Sequence, residues 1–579
     1  MDSPFAWSKA PATRPRMAGE CNRPSDAFLG AGSARFLTLA RPPLPGLHPR
    51  RVSLAASASS RNFPLTLDAL SPAAIPAAAL PRRRALAPAL VWLGVGVAAL
   101  VWAILVRLPL WRMDGLDDAF YVEVAHLWTR GLPPYLYAYD VKPPGFFALL
   151  ALAETALGPT LDALRALAAS CDAATSVGLL LIARRLKQPL VGIFAALCFP
   201  ILNELVTAND AYSPLAALTV FAFLAAISSG PLMRRALAAG LLIGAAGAVK
   251  QTAGFEALAL LYILLAAPEA AGRRARVGAM FLAAAAVAPL AFLLYFACVG
   301  GARALIDDAL LGALARPASA SEGLSFLQGL WRFLLLQKSD MALFAAALLA
   351  LLRYRMLKAT LPDAPLQALA LWFVAAMAGA VAQRANAVTY IGPMLAPGLL
   401  LAGLALTRAA PELARLPASA RLAALAAASL AIGLANPGND LSARPETAAL
   451  AQAEAAIRAS GPGPGDQLYV VNRGLWLYAA LDWRPPTTVF YPGHTLCDFR
   501  QRGPELIDSI LAEEPRYLVV ADRRIHYVCE QADRWRAVET MLAADYRQIV
   551  HAGGAVDSFD VYERSETGPP IAAPGDAKP

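Results

Sequence analysis

The stretch GLDDAFYVEVAHLWTRGLPPYLYAYDVKPPG, residues 115–145, decides how this sequence folds. It follows an apolar run over 88–108 and precedes mostly apolar sequence that continues to about residue 435. Two Pro pairs interrupt it, and it carries the charged residues Asp117, Asp118, Glu123, Asp140 and Lys142. A polar segment therefore lies between apolar ones, and its charges need a physical explanation.

The composition predicts a membrane protein. The chain has 579 residues, of which 58% are hydrophobic and 16% are charged, and its mean hydropathy is +0.49. Soluble domains average about 25% charged residues. Apolar runs of about 20 residues, the length that crosses a bilayer as a helix, recur along the sequence and indicate a polytopic membrane protein.

The distribution of positive charge predicts the orientation. The net charge of +9 would suit nucleic acid, but excess Lys and Arg in a membrane protein marks its cytoplasmic loops, so we expect no nucleic-acid partner. Three arginines at 82–84 precede the first apolar run and predict a cytoplasmic N-terminus. The loops at 183–189, 231–235 and 269–278 are also basic, whereas those between them carry much less positive charge.

About eleven spans fit this alternation, and the weaker ones allow the count to shift by one or two. They are predicted over 88–108, 161–183, 190–206, 211–229, 236–249, 253–267, 279–299, 339–352, 366–382, 391–407 and 421–435. A long outer loop is predicted over 300–325. Residues 145–158 are too short to span and predict a helix at the outer membrane interface, as does the amphipathic pattern of 118–130.

The predicted fold class is an all-α polytopic membrane protein with a small C-terminal α/β domain. The predicted organisation is a disordered cytoplasmic tail over 1–87, a transmembrane domain over 88–435 with its first outer loop over 111–160, a periplasmic α/β domain over 440–565, and a disordered tail over 566–579. In that domain QLYVV (467–471) and RYLVVAD (516–522) predict strands, with helices near 444–459, 503–513 and 530–544. A disulfide between Cys497 and Cys529 stays open.

The residues of the opening stretch indicate chemistry. An Asp at the start of the 118–130 helix is a suitable N-cap, but a cap needs only one of Asp117 and Asp118. The Pro pairs stiffen the chain that carries Asp140 and Lys142. A lysine held in place binds phosphate as a point charge, and a carboxylate nearby serves as a general base toward a hydroxyl.

These residues resemble the first outer loop of the GT-C membrane glycosyltransferases, in particular the protein O-mannosyltransferases, the aminoarabinose lipid A transferases and related bacterial sugar transferases. The shared pattern is Asp117-Asp118, Tyr121, Ala125, Gly131, Pro134-Tyr135 and Asp140-Val141-Lys142-Pro143-Pro144. Weaker matches follow at Arg165, Asp172, Asn209-Asp210, Gly240 to Lys250-Gln251, Tyr390, Pro393 and Pro397.

The resemblance implies a polyprenyl-phosphate sugar as donor, transfer at the outer face of the bacterial inner membrane, and inversion at the sugar carbon. It implies that Asp117 and Asp118 are catalytic, with Asp117 as the base and Asp118 assisting at the acceptor or at a metal, so a divalent cation stays open. The implied donor-binding residues are Asp140, Lys142, Asp210, Lys250, Arg384 and Tyr390. The partners it implies are the lipid-linked donor, membrane lipid, and a lipid, glycan or protein acceptor.

Two other classes of function are weighed against a transferase. A transporter or flippase would place charge within the membrane, and Lys250 is the residue most compatible with it. A non-catalytic protein would bind glycan through its outer domain. Because the acidic cluster lies beside the membrane segments rather than within them, the sequence favours the transferase. The sugar, the acceptor and the choice of base between Asp117 and Asp118 stay open.

Overall fold

The computed structural model describes residues 83–108, 111, 117–204, 212–312, 363–382, 388–407, 416–421, 423–424, 427, 447–471, 474–491, 503–521, 532–553 and 558–565. The candidate site residues Asp210 and Arg384 lie outside the described residues, as do Cys497, Cys529, the predicted span 339–352 and the predicted tail 566–579. Of the predicted tail 1–87, only 83–87 are described.

Helices fill the described part of the membrane region. They are α1 (Arg83–Arg107), α2 (Asp118–Thr129), α3 (Pro144–Leu157), α4 (Leu161–Arg185), α5 (Pro189–Leu202), α6 (Tyr212–Ala226), α7 (Leu232–Val249), α8 (Ala253–Ala266), α9 (Arg274–Cys298), α10 (Ala302–Ala304), α11 (Asp363–Ala382) and α12 (Gly392–Thr407). Short 3₁₀ turns lie at Pro268–Ala270 and Val388–Ile391, and a π-helical segment follows α10 at Leu305–Gly312.

The predicted class of polytopic membrane protein is confirmed. Among the described residues, five helices are long and apolar enough to cross a membrane, and they fall within α1, α4, α7, α9 and α11. The shorter apolar helices α5, α6, α8 and α12 coincide with four further predicted spans. Pro at the first turn, as in α3 and α5, sets where a helix begins because it needs no backbone donor there.

Two boundaries differ from the predictions. Helix α1 begins at Arg83, inside the predicted disordered tail, because Arg and Ala favour a helix and extend the apolar span backwards. The predicted loop 300–325 is helical over its described part, from Ala302 to Gly312.

A buried polar network joins the ends of α1, α5 and α6 to the middle of α4. The guanidinium of Arg107 on α1 forms an ion pair with Asp172 on α4, with Nη2 2.6 Å from Oδ2, and a second with Glu204 after α5. The amide of Asn203 donates to Asp172 and to Ser213 on α6, both at 2.9 Å. Because charges buried in an apolar bundle need such partners, the network fixes how these helices meet.

The C-terminal region is a small α/β unit, as predicted. It contains α13 (Thr447–Ala459), α14 (Trp476–Leu481), α15 (Gly503–Glu513) and α16 (Ala532–Asp545), with the strands β1 (Leu468–Val471), β2 (Tyr517–Ala521), β3 (Tyr546–Gly553) and β4 (Ser558–Arg564). The strand order is β1-β2-β4-β3, in which β1 and β2 are parallel and the other pairs are antiparallel.

The sequence predicted β1 and β2 but not the β3–β4 hairpin. Both predicted strands are buried and apolar, which gives a clear signal. Strand β3 is largely exposed, and a bulge between Gln548 and Val550 interrupts its alternation, so no regular period-two pattern marks it.

Close helix packing is set by two glycines of α7. A Cβ added at Gly240 would lie 2.5 Å from the carbonyl oxygen of Phe281 on α9, and one added at Gly244 would collide with the carbonyl of Ala285. The two residues are one helical turn apart, so they form a small-residue face along which the two backbones approach.

We expect Gly244→Ala to destabilise the purified protein in detergent by about 1–3 kcal/mol, because the backbone of α9 cannot give way as a side chain would. Gly247→Ala is the matched control, since nothing lies within 4 Å of a Cβ built there. Thermal unfolding measures both variants. Equal midpoints for the two would contradict the close approach of α7 and α9.

Candidate functional site

The carboxylate of Asp117 is bound by two tyrosines. Asp117 immediately precedes α2, but its side chain makes no capping hydrogen bond. The hydroxyl of Tyr121, one turn into the helix, donates to Oδ2 at 2.8 Å, and that of Tyr491, from the C-terminal region, donates to Oδ1 at 2.9 Å. The expected N-cap is therefore wrong for this side chain, because each of its oxygens accepts a hydrogen bond from a phenol instead.

The neighbouring Asp118 has a different environment. Its side chain is buried, and its Oδ2 lies 2.6 Å from Nη2 of Arg165 on α4. A buried ion pair of this kind is costly to break, since removing one partner leaves the other charge without compensation. Asp118 therefore ties α2 to α4.

The turn at Asp140–Lys142 is rigid, as its proline content predicts. Oδ1 of Asp140 accepts the backbone N–H of Val141 at 2.6 Å and of Lys142 at 3.3 Å. The hydroxyl of Tyr135 donates to the carbonyl of Lys142 at 2.5 Å, and Tyr135 itself has a φ of +66°. A non-glycine residue in the left-handed region persists only where the surrounding contacts impose it.

Lys142 connects this turn to Asp117. Its ammonium lies 3.8 Å from Oδ2 of Asp140 and 4.5 Å from the centre of the Tyr121 ring. Burial raises the pKa of Tyr121 well above its ordinary value, and the nearby negative charges of Asp117 and Asp140 raise it further. Tyr121 therefore stays protonated and remains a donor. We call Asp117, Tyr121, Asp140, Lys142 and Tyr491 the acid cluster.

A second cation lies between aromatic rings. Lys250 directly follows α7 and is 8% exposed, and its ammonium lies 4.0 Å from the centre of the Tyr212 ring and 5.1 Å from that of Tyr390. The rings of Tyr212 and Tyr390 contact each other edge to face, with centroids 6.4 Å apart. Cation–π contacts stabilise a desolvated ammonium without neutralising its charge. We call these three residues the lysine–tyrosine cluster.

Gln251 joins the two clusters through the backbone. Its side-chain amide donates to the carbonyl of Val141 at 2.9 Å and to that of Ala309 at 2.7 Å. The residue next to Lys250 is thus bound directly to the turn that carries Lys142. The arrangement places two lysines and the carboxylates of Asp117 and Asp140 on segments linked by hydrogen bonds and ring contacts, which suits binding an anion and accepting a proton.

The C-terminal region covers α2 and the first loop. The backbone N–H of Tyr139 donates to the carbonyl of Thr488 at 2.8 Å, and Phe120 packs on Phe490 with ring centroids 5.3 Å apart. Arg130, at the end of α2, pairs with Asp482 at 2.9 Å. The predicted amphipathic helix α2 is therefore buried on nearly all sides. The C-terminal segment covers the polar face that was expected to contact water.

The predicted site residues fall into three groups. Asp117, Asp140 and Lys142 lie together in the acid cluster, and Lys250 and Tyr390 lie together in the lysine–tyrosine cluster. Asp118 pairs with Arg165, while Asp210 and Arg384 lie outside the described residues. Within the described ranges, no three His, Cys, Asp or Glu side chains are placed to hold a metal ion.

Sequence reasoning missed the role of two tyrosines. Tyr121 belonged to the recognised pattern, and its position one turn after Asp117 is the signal that could have indicated a hydrogen bond. Tyr491 is 374 residues from Asp117 and belongs to no pattern, so only the folded chain brings it to the site.

Two buried carboxyl groups lie between α2 and α3. Within the described residues, the carboxyl oxygens of Glu123 and Glu154 have no hydrogen-bond partner, and both side chains are at least 95% buried. Burial raises the pKa of Glu154 to about 9, and burial together with the charge of Glu154 raises the pKa of Glu123 well above its usual range. Both groups are therefore protonated in the folded protein at neutral pH.

This pair predicts a stability that falls as pH rises. Above the ordinary Glu pKa of 4.5 the unfolded chain has lost the proton that folded Glu154 keeps until about pH 9, so folding becomes less favourable across that window. We expect Glu154→Gln to make this fall shallower, because Gln stays neutral throughout. Unfolding measured in detergent between about pH 5 and about pH 9 tests this.

Glu269→Gln is the control for that measurement, because Glu269 is exposed. It should retain the pH dependence of the wild-type chain. An unchanged slope for Glu154→Gln would mean that this carboxyl is ionised in the folded state.

The chain has relatives among known proteins. Residues 141–296 match the family of dolichyl-phosphate-mannose-protein mannosyltransferases. The fold is similar to that of ArnT from Cupriavidus metallidurans bound to undecaprenyl phosphate, with a TM-score of 0.59 and 15% identity over 83% of this chain and 99% of that one. The apo form of the same protein gives a TM-score of 0.53 and 12% identity over 83% and 98% of the two chains. No curated protein sequence matches the chain.

Proposed function

We propose that this chain, which has the fold of the GT-C membrane glycosyltransferases, transfers a sugar from a polyprenyl-phosphate donor to a hydroxyl of an extracytoplasmic lipid, glycan or protein. The observation that carries the proposal is the acid cluster, in which a carboxylate held by two phenols lies beside a rigid turn bearing a lysine. The undecaprenyl phosphate of the similar ArnT structure supports a lipid phosphate as the carrier.

Asp117 is the base in this proposal. Asp117 is half-buried, whereas Asp118 is buried and paired with Arg165. Asp117 takes the proton of the acceptor hydroxyl as the acceptor oxygen forms its bond to the sugar carbon. The bond from that carbon to the phosphate oxygen breaks, and the phosphate leaves with the electron pair. A single displacement of this kind inverts the sugar carbon.

The lysines serve the leaving group. A departing lipid phosphate carries negative charge, and cations held in place before the reaction stabilise it most where water is excluded. Lys142 and Lys250 are both packed against tyrosine rings, and Gln251 fixes their segments to each other. Tyr390 orients Lys250, and Asp140 orients Lys142. Asp210 and Arg384 are proposed as further donor contacts on the resemblance alone.

We expect Asp117→Asn to reduce transfer by about 10²–10⁴-fold, the usual contribution of a general base, because Asn has nearly the same shape and still accepts a hydrogen bond at its one oxygen but cannot take a proton. Lys142→Ala should raise the KM for the donor. Transfer by purified protein in lipid nanodiscs is followed by mass spectrometry, with a panel of polyprenyl-phosphate sugars and with acceptor lipids and glycans.

Asp118→Asn is the contrasting variant. It should be destabilised by about 3–5 kcal/mol, because the buried ion pair with Arg165 is broken. Wild-type rates in Asp117→Asn would contradict the assignment of Asp117 as the base. An unchanged donor KM in Lys142→Ala would contradict the phosphate contact of Lys142. Movement of the intact lipid-linked sugar across the bilayer, without a glycosylated product, would favour the flippase instead.

The membrane arrangement is also proposed. The chain lies in the bacterial inner membrane with its N-terminus in the cytoplasm, and residues 111–160 and 440–565 face the periplasm. The basic loops support this orientation, and the contacts of Tyr139 and Arg130 with the C-terminal region support a common side for the two segments.

A membrane-impermeant maleimide applied to spheroplasts should label Thr129→Cys and Ala512→Cys but not Arg274→Cys, since all three positions are exposed in the fold. Labelling of the wild-type chain gives the background signal from its native cysteines. Labelling of Arg274→Cys alone would show that the orientation is opposite to the proposed one.

A further inference from the structure

We infer that Tyr491, from the C-terminal region, is a positioning residue for the base Asp117. Its hydroxyl holds the carboxylate in one orientation and in its charged form, which are the two conditions that acceptor activation requires. The inference rests on the proposed function and adds to it a residue that lies outside the membrane domain and outside the recognised sequence pattern.

The geometry at Asp117 is that of a clamp. One phenol binds each carboxylate oxygen, Tyr491 at 2.9 Å and Tyr121 at 2.8 Å. Hydrogen bonds to an ionised acceptor are stronger than neutral ones, and they favour the charged form of the group that accepts them. Two donors on opposite oxygens also fix the plane of the carboxylate.

Tyr491 is itself held in place. Its ring stacks on Phe120, with centroids 5.1 Å apart and an interplanar angle of 25°. The adjacent Phe490 contacts Phe120 and Tyr478, at centroid distances of 5.3 Å and 5.9 Å. Only 6% of Tyr491 is exposed. A phenol packed in this way is organised before substrate arrives, which makes its hydrogen bond effective in orienting the base.

The contact gives the C-terminal region a direct part in the site. Thr488 accepts a hydrogen bond from the backbone of Tyr139, the residue immediately before the turn at Asp140–Lys142. The segment 474–491 therefore contacts the base and the residue that leads into the turn with the proposed phosphate contact. The small α/β unit then completes the site rather than only following the membrane domain in sequence.

The test is the pH dependence of transfer by full-length Tyr491→Phe. This variant keeps the stacked ring and removes only the hydroxyl. Losing one hydrogen bond to the carboxylate should raise, by about one pH unit, the pH at which kcat/KM falls on the acid side. The kcat near neutral pH should also be lower. The charged neighbours Asp118, Asp140 and Lys142 are unchanged, so a shift reports on the lost phenol. A merely structural role would scale the whole profile without shifting that pH.

Tyr137→Phe is the matched control. Tyr137 lies in the first outer loop, close to Tyr139. Its ring contacts the C-terminal region, because the guanidinium carbon of Arg484 lies 4.7 Å from the ring centre. In this variant, kcat/KM should fall on the acid side at the same pH as in the wild-type chain. A shift in Tyr137→Phe equal to that in Tyr491→Phe, or no shift in Tyr491→Phe, would overturn the inference while leaving the proposed function intact.

A second measurement tests the hydrogen bond on which the inference depends, without any transfer assay. The free energies of unfolding of Tyr491→Phe, Asp117→Ala and the double variant form a double-mutant cycle. We expect the single effects to be non-additive, because each change removes the same hydrogen bond. Additive effects would overturn the inference whatever the activity. Absence of transfer in the wild-type chain, with a coupled cycle, would instead refute the proposed function and leave the contact standing.

Discussion

The hydrogen bond between Tyr491 and Asp117 is the contact on which the arrangement of the site depends. It joins residues 374 positions apart, and it holds the start of α2 against the C-terminal region. It acts together with the Tyr139–Thr488 hydrogen bond, the Phe120–Phe490 ring contact and the Arg130–Asp482 ion pair, which also join the membrane helices to the C-terminal region. With these contacts the helix that presents the acidic pair is enclosed, Tyr121 donates to the Asp117 carboxylate, and Lys142 packs over the Tyr121 ring.

The two adjacent aspartates show how environment separates identical side chains. Asp118 is directed to Arg165 on α4 and is buried, so its charge stabilises the packing of two helices. Asp117 accepts hydrogen bonds from two neutral phenols, which favour its charged form. A base needs a charge that a substrate proton can still neutralise. The sequence left the choice between the two open, and their partners favour Asp117.

Most helices and two strands could be predicted from the sequence, because apolar runs and basic loops report directly on a membrane environment. The acidic pair and the Lys142 turn were found for a related reason, as charges in rigid, Pro-rich sequence stand out. The β3–β4 hairpin and Tyr491 could not be predicted. Strand β3 has an irregular, exposed pattern, and the role of Tyr491 arises from packing between distant segments, which leaves no local signal.

The burial of α2 has a consequence for the acids that the site does not use. Covering the helix on both sides places Glu123 and Glu154 where water cannot reach them, and their carboxyl groups respond by keeping their protons. A neutral pair costs less to bury than two charges, but it makes the enclosure of α2 less favourable as pH rises. The same enclosure brings Tyr491 to Asp117. The stability of the base clamp and the protonation of this pair are therefore linked through one helix.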